Sequence, residues 1–317
     1  MWSSYATLPT PKMSHQPPLV AIVGPTAIGK TSLSLHLAAE FQGEIISGDS
    51  RQVYRKMDIG TAKPTKSELS QIPHHLIDII DPDDEYNLAT FLRNARVAID
   101  DVMSRHKLPV VVGGTGQYLE GLVQGWQVPP VPPQPELRAI LESQAKEGGL
   151  TLRGKELFSL DPDTANRIDL KNPRRVIRAI EVARSAGTSP VQIPPAFNPV
   201  IIGLTMDRDE LDHRINRRTD AMITEGWVGE VKELLDQGYS LDLPSMSSLG
   251  YRELARHLND GLVLEEAVIE IKRQTRRFAR KQYTWFKPTD PRIHWFDADA
   301  NAHTQITTLL PDTLGQG

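Results

Sequence analysis

The chain has 317 residues, 39% hydrophobic and 24% charged, with 36 Lys and Arg against 40 Asp and Glu for a net charge of −4. That size suits about two domains around a sizeable core, and the charge excludes a uniformly basic surface while leaving local basic patches open. Zero cysteine excludes disulfides, zinc fingers and thiol catalysis, and no apolar run reaches the roughly 18 residues that cross a bilayer, so no membrane partner is expected and the cytoplasm is the default compartment.

In chain order, residues 1–18 are rich in Ser, Thr and Pro, lack the apolar core of a signal peptide, and read as a disordered tail. Leu19–Val23 is a continuous apolar run, as a buried parallel strand requires. Gly24-Pro25-Thr26-Ala27-Ile28-Gly29-Lys30-Thr31 then matches the phosphate-loop pattern at every fixed position. Leu33, Leu37 and Phe41 follow at helical spacing. Strand, glycine loop and helix aim backbone N–H groups and a helix dipole at a phosphate. Lys30 adds a point charge, and the Thr31 hydroxyl is placed to ligate Mg2+. The motif points to a diphosphate-bearing ligand and leaves the reaction open.

Glu44–Ser47, His75–Ile80 and Pro109–Val112 read as further strands, and Leu88–Met103 as a helix. That alternation predicts an α/β fold with a doubly wound parallel sheet, whose strand ends face the ligand crevice. Asp49 follows the second strand and suits a general base, a magnesium ligand or a helix N-cap. Gly113-Gly114-Thr115-Gly116 permits close backbone approach and offers the Thr115 hydroxyl, or is merely a tight turn. His74-His75 does not suit a metal pair, because neighbours on a strand point to opposite faces. Asp78 or Asp81 suits the acidic end of a Walker-B strand, which would favour a kinase or hydrolase.

Val128–Pro135 is too proline-rich for a central strand or helix interior. Glu136–Gly187 is mostly helical in pattern, and Ser189–Pro199 is a loose segment. Val200–Leu204 reads as a strand, Arg208–Phe286 as long helices, and Ile293–Phe296 as a last edge strand. The expected division is a core of residues 19–120 and 199–300, a helical insertion at 121–198, and a tail at 301–317.

Two segments carry basic groups beside apolar or aromatic ones: Asn172–Arg178 and Ser248–Glu253. Such mixtures suit RNA, where unpaired bases stack and phosphates need charge. From Ile271 to Lys287 seven Lys and Arg residues occur with no acidic residue, and Arg273, Arg276, Arg277 and Arg280 share one helical face. The missing acids favour a polyanion partner over a solvated surface.

Taken together and in order, these segments resemble the tRNA dimethylallyltransferases, also called tRNA isopentenyltransferases. The resemblance rests on Gly24–Thr31, Ile45–Arg55, Met57–Lys63, Pro73–Asp78, Val112–Thr115, Asn172–Arg178, Leu249–Arg252 and Arg280–Phe286. It implies a P-loop NTPase-like core with a helical insertion that binds tRNA, of the bacterial type without a zinc finger. It implies transfer of a dimethylallyl group from dimethylallyl diphosphate to N6 of an adenine next to the anticodon. Lys30 and the loop would hold the diphosphate with Mg2+ on Thr31, Asp49 would be the base, and Thr115 and Arg138 would contact substrate. Asp49, Ser50, Arg51 and Gln52 match a tRNA-contacting region, as do Arg174, Arg175, Val176, Ile177 and Arg178, and Ser248, Leu249, Gly250, Tyr251, Arg252 and Glu253. Arg276 and Arg277 are expected to extend that surface to an anticodon stem-loop, with the protein acting as a monomer. The family often has Val in place of Gly48. A small-metabolite kinase leaves the basic insertion unexplained, and an adenylate isopentenyltransferase would not need it.

Overall fold

The computed structural model describes residues 16–128, 131, 134–145, 149–186 and 197–314. In chain order it comprises β1 (Pro18–Val23), α1 (Lys30–Glu40), β2 (Gly43–Ser47), α2 (Lys66–Gln71), β3 (His74–His75), α3 (Leu88–Ser104), β4 (Leu108–Val112) and α4 (Gly116–Val123). Four helices follow: α5 (Pro135–Gln144), α6 (Leu150–Leu160), α7 (Pro162–Arg167) and α8 (Pro173–Ala186). Then come β5 (Asn198–Thr205), α9 (Arg208–Thr224), α10 (Trp227–Asp236), α11 (Tyr251–Asp260), α12 (Leu264–Gln282), β6 (Ile293–Asp297) and α13 (Ala302–Leu314).

The six strands form one sheet in the order β3-β2-β4-β1-β5-β6, every neighbouring pair parallel. Strand alternation sends Leu19, Ala21 and Val23 of β1 to one face, with α3 and α4, and Val20 and Ile22 to the other, with α1, α9 and α13. Both faces of β1 are therefore dry, which is why its sequence is apolar throughout. Each fully buried Leu or Ile there contributes about 1.5–3 kcal/mol. All strands run the same way, so β1, β2 and β4 deliver the loops at Gly24, Gly48 and Gly113 to one edge.

A second cluster joins α10, α11 and α12 to residues Val53, Tyr54 and Met57, and a third holds α5–α8 together through Leu141, Leu157, Val176, Ile177 and Ile180.

The His75–Ile80 strand is shorter than expected. Leu76 and Asp78 adopt φ of 63° and 55°, which ends the ladder after His75. The Asp78 and Ile79 amides instead donate to Gln52 and Val53 carbonyls, at 3.1 and 2.9 Å. Within the expected tail at 301–317, Ala302–Leu314 form α13, which buries Ala302, Ile306 and Leu310 against α1 and the sheet; residues 315–317 lie outside the described residues. Residues 1–15 of the expected N-terminal tail lie outside the described residues.

Candidate active site

The phosphate loop leaves β1 through Gly24, whose φ of 139° and whose 2.7 Å approach to the Leu204 carbonyl exclude a side chain. Ile28 turns into the core, while Thr26, Ala27, Gly29, Lys30 and Thr31 line a cavity of about 320 Å³. The Lys30 Nζ donates to the Pro25 carbonyl at 2.7 Å. Its desolvated surroundings, and next the charge of Arg218, pull the ammonium down from 10.5 to about 7, against an opposing pull from Asp49. The Thr31 hydroxyl faces this cavity and makes no hydrogen bond to another described residue.

Two glycines bring the remaining chemistry to the loop. At Gly113 a Cβ would lie 2.3 Å from the Gly48 backbone, so the turns after β2 and β4 touch. That approach lets the Ser50 amide donate to Thr115 Oγ1 at 2.9 Å, with the Thr115 hydroxyl 3.2 Å from Ser50 Oγ. Asp49 precedes no helix, which removes the cap reading. Its Oδ1 accepts from the Arg51 amide at 2.8 Å, and its side chain lines the first cavity and a second, adjoining one of about 530 Å³. A Cβ at Gly48 would come within 2.8 Å of the Leu119 side chain, so a larger residue there would have to displace that leucine.

Two contributors were not singled out in the sequence. Arg218 of α9 lies 3.5 Å from Thr26 Oγ1, its pKa lowered by desolvation and held up by Asp49. Gln282, at the end of α12, accepts from the Thr26 amide at 2.8 Å and donates to the Gly114 carbonyl at 2.7 Å. Three cationic or amide-rich groups thus face one carboxylate and one free hydroxyl at the edge of a parallel sheet, an arrangement that holds an anion beside a base.

A family model described as IPP transferase matches residues 52–289, and one described as isopentenyl transferase matches residues 17–79. The chain belongs to the IPP transferase family. A relative from Roseiflexus sp. (strain RS-1), named tRNA dimethylallyltransferase, is 49% identical over 299 residues, covering 92% of this chain and 97% of the relative. The crystal structure of a full-length tRNA isopentenylpyrophosphate transferase from Bacillus halodurans matches with a TM-score of 0.71 at 40% identity, over 95% of this chain and 97% of that one. A eukaryotic dimethylallyltransferase, captured in crystallographic snapshots acting on tRNA, gives 0.80 at 27% identity, over 95% and 80% of the two chains.

Within this IPP transferase the other expected site residues separate. Ser50, Arg51, Ser248 and Leu249 line the second cavity, and Arg51 also reaches Ser247 Oγ at 3.2 Å. Gln52 lines the first and binds the Thr61 and Ala62 carbonyls at 3.4 and 3.1 Å. Arg138 lines neither cavity: it pairs at 2.8 Å with Glu181, which also takes Arg178, so the helical insertion keeps it. Val176 and Ile177 are buried in the insertion's own core, leaving Arg174 and Arg175 exposed.

Tyr251 is fully buried and donates to Glu230 at 2.6 Å, so it offers no face to a base. Gly250 and Glu253 are buried as the helix cap of α11, and Arg252 is exposed. The acids missing from Ile271–Lys287 are supplied by α9 and, for Arg273, by Glu270 one turn earlier on α12. Asp220 pairs with Lys272, and Asp212 lies 3.4 Å from Arg280 and 3.9 Å from Arg276, while Arg277 is exposed with no ion pair among the described residues. Asp78 pairs with Lys63 and Asp81 with Arg55, and neither reaches the cavities, so the Walker-B reading has no acid at the loop.

Proposed function

We propose that this IPP transferase moves a dimethylallyl group from dimethylallyl diphosphate to N6 of an adenine next to the anticodon of tRNA, releasing diphosphate. The supporting observation is the meeting of Lys30, the loop and Arg218 with Asp49 around the first cavity, with Asp49 and Arg218 also lining the adjoining second one. An exocyclic adenine amine is a poor nucleophile, because its lone pair is delocalised into the ring. Asp49 therefore takes the N6 proton as the carbon–nitrogen bond forms. The allylic carbon bears developing positive charge, and negative charge grows on the leaving diphosphate. Lys30, Arg218 and the loop N–H groups stabilise that charge.

The free hydroxyl of Thr31 fits a magnesium ion, which typically takes one or two protein ligands, phosphate oxygens and water. Thr31 would hold it, with Asp49 nearby in the same cavity, and the ion would supply further neutralisation of the diphosphate. Thr115 orients the turn that carries Ser50, on the side of the second cavity where an unstacked base would enter. Among the described residues no helix is long and apolar enough to cross a membrane. We assign the reaction to the cytoplasm and the working unit to a monomer.

Incubation with labelled dimethylallyl diphosphate, magnesium and unmodified tRNA should put label into tRNA without ATP. Asp49→Asn should lower turnover by about 10²–10⁴ with little change in tRNA affinity. Strict dependence on ATP with phosphate transfer would move the assignment to a kinase.

A further inference from the structure

We infer that Gln282 is a positioning residue for the transfer: its side-chain amide ties the phosphate loop to the turn that carries Thr115, fixing the diphosphate cradle relative to the base-accepting cavity. This rests on the dimethylallyl transfer proposed above. The Gln282 side chain is almost wholly buried, and both ends of its amide are used. Oε1 accepts the Thr26 N–H at 2.8 Å, and Nε2 donates to the Gly114 carbonyl at 2.7 Å. The two partners fix the amide's orientation, because reversing it would set N–H against N–H and oxygen against oxygen.

The turn beneath it is shaped around α12 and its continuation. A Cβ at Gly114 would come within 2.7 Å of Gln282 Nε2 and 3.5 Å of Asp49 Oδ2, and a Cβ at Gly116 would come within 2.3 Å of the Trp285 ring. Gln282 and Trp285 therefore bracket Thr115 through the two glycines beside it. Gln282 lines both cavities, as does Phe278 one helical turn earlier. One side chain from α12 thus bonds to the loop after β1 and to the turn after β4. Neither substrate needs to touch it for its loss to matter. If the tie is cut, the diphosphate and the N6 acceptor are held by two loops free to move apart, and misalignment of about 1 Å costs up to 10²-fold in rate.

Two variants separate this role from packing. Gln282→Leu keeps similar bulk and removes both hydrogen bonds. Gln282→Glu keeps the acceptor for Thr26 but, when ionised, sets a carboxylate against the Gly114 carbonyl. Once protonated, the same carboxyl restores the donor and mimics the amide. The expected result is a kcat at least about tenfold below wild type for Gln282→Leu, with tRNA KM nearly unchanged. For Gln282→Glu, the ratio of variant to wild-type kcat should rise about tenfold as pH falls from about 8 to about 5. The Gln282→Leu ratio should stay flat over that range. Wild-type kcat in Gln282→Leu, or a flat ratio in Gln282→Glu, overturns the assignment. A wild-type enzyme that puts no label into tRNA overturns instead the reading on which it rests, and the two failures are distinguished in the same experiment.

Discussion

At the scale of single residues the site depends on what desolvation does to Lys30. An ammonium held near pKa 7, against an ordinary 10.5, is only partly charged at neutral pH until an anion arrives. Bound diphosphate restores the balance and draws a proton onto it. The sign follows. Below about pH 7 the lysine is already charged and binding takes up no proton. Above it each pH unit weakens binding by up to about tenfold, because the proton must be supplied. The stability of the ligand-free protein runs the other way: the cost of the enclosed ammonium is fully present below about 7 and is relieved as pH rises toward the unfolded value. Calorimetric titration with inorganic diphosphate at pH 8, in two buffers of different ionisation enthalpy, should show up to one more proton taken up by wild type than by Lys30→Met. Equal proton uptake in the two proteins would mean that Lys30 stays charged in the free enzyme.

At the scale of elements, the loop from Met57 to Lys63 forms a wall of both cavities and is held by side chains from far along the chain. The Glu230 carboxylate accepts from the amides of Asp58, Ile59 and Gly60 at 2.7, 2.6 and 3.1 Å and from the Tyr251 hydroxyl. Tyr251→Phe removes one of those donors from a partly buried carboxylate and should cost about 1 kcal/mol, read as a lower Tm. Its tRNA KM should stay within about twofold of wild type, since the ring is enclosed. A raised KM with an unchanged Tm would instead return Tyr251 to the RNA surface. The same contrast explains what was legible in the sequence. The buried strands and the phosphate loop are local patterns, so periodicity and glycine spacing locate them. The roles of Gln282, Arg218 and Tyr251 come from partners brought by the fold from 21 to 256 residues away, and a helix pattern carries no trace of them. The basic run at Arg174–Arg178 divides for a related reason: five residues of a helix share one stretch of sequence but not one face, so Val176 and Ile177 point inward while Arg174 and Arg175 stay exposed.

For the whole molecule the question is how a chain of net charge −4 holds a polyanion. The seven basic residues from Ile271 to Lys287 look unopposed only in sequence. In the fold α9 lays Asp212 and Asp220 alongside them, so much of that charge is spent internally. On α8 and α12 the exposed guanidinium groups without an ion pair among the described residues are Arg174, Arg175 and Arg277. They sit on separate units of the structure, the insertion and the helix that ends at the catalytic cavity, as two sides of a clamp on an RNA stem would. Each phosphate contact releases condensed counterions, so losing one should flatten the log–log dependence of tRNA affinity on salt by about 0.7–0.9. Arg174→Ala, Arg175→Ala and Arg277→Ala should each do so and raise the tRNA KM, with the KM for dimethylallyl diphosphate unchanged. Arg280→Ala should flatten the slope less, because its guanidinium is already neutralised by Asp212 at 3.4 Å. Affinity measured for wild type and the four variants at two or more salt concentrations decides the matter. Equal slopes for Arg277→Ala and Arg280→Ala would show that the internal pairs do not set which arginines meet the RNA.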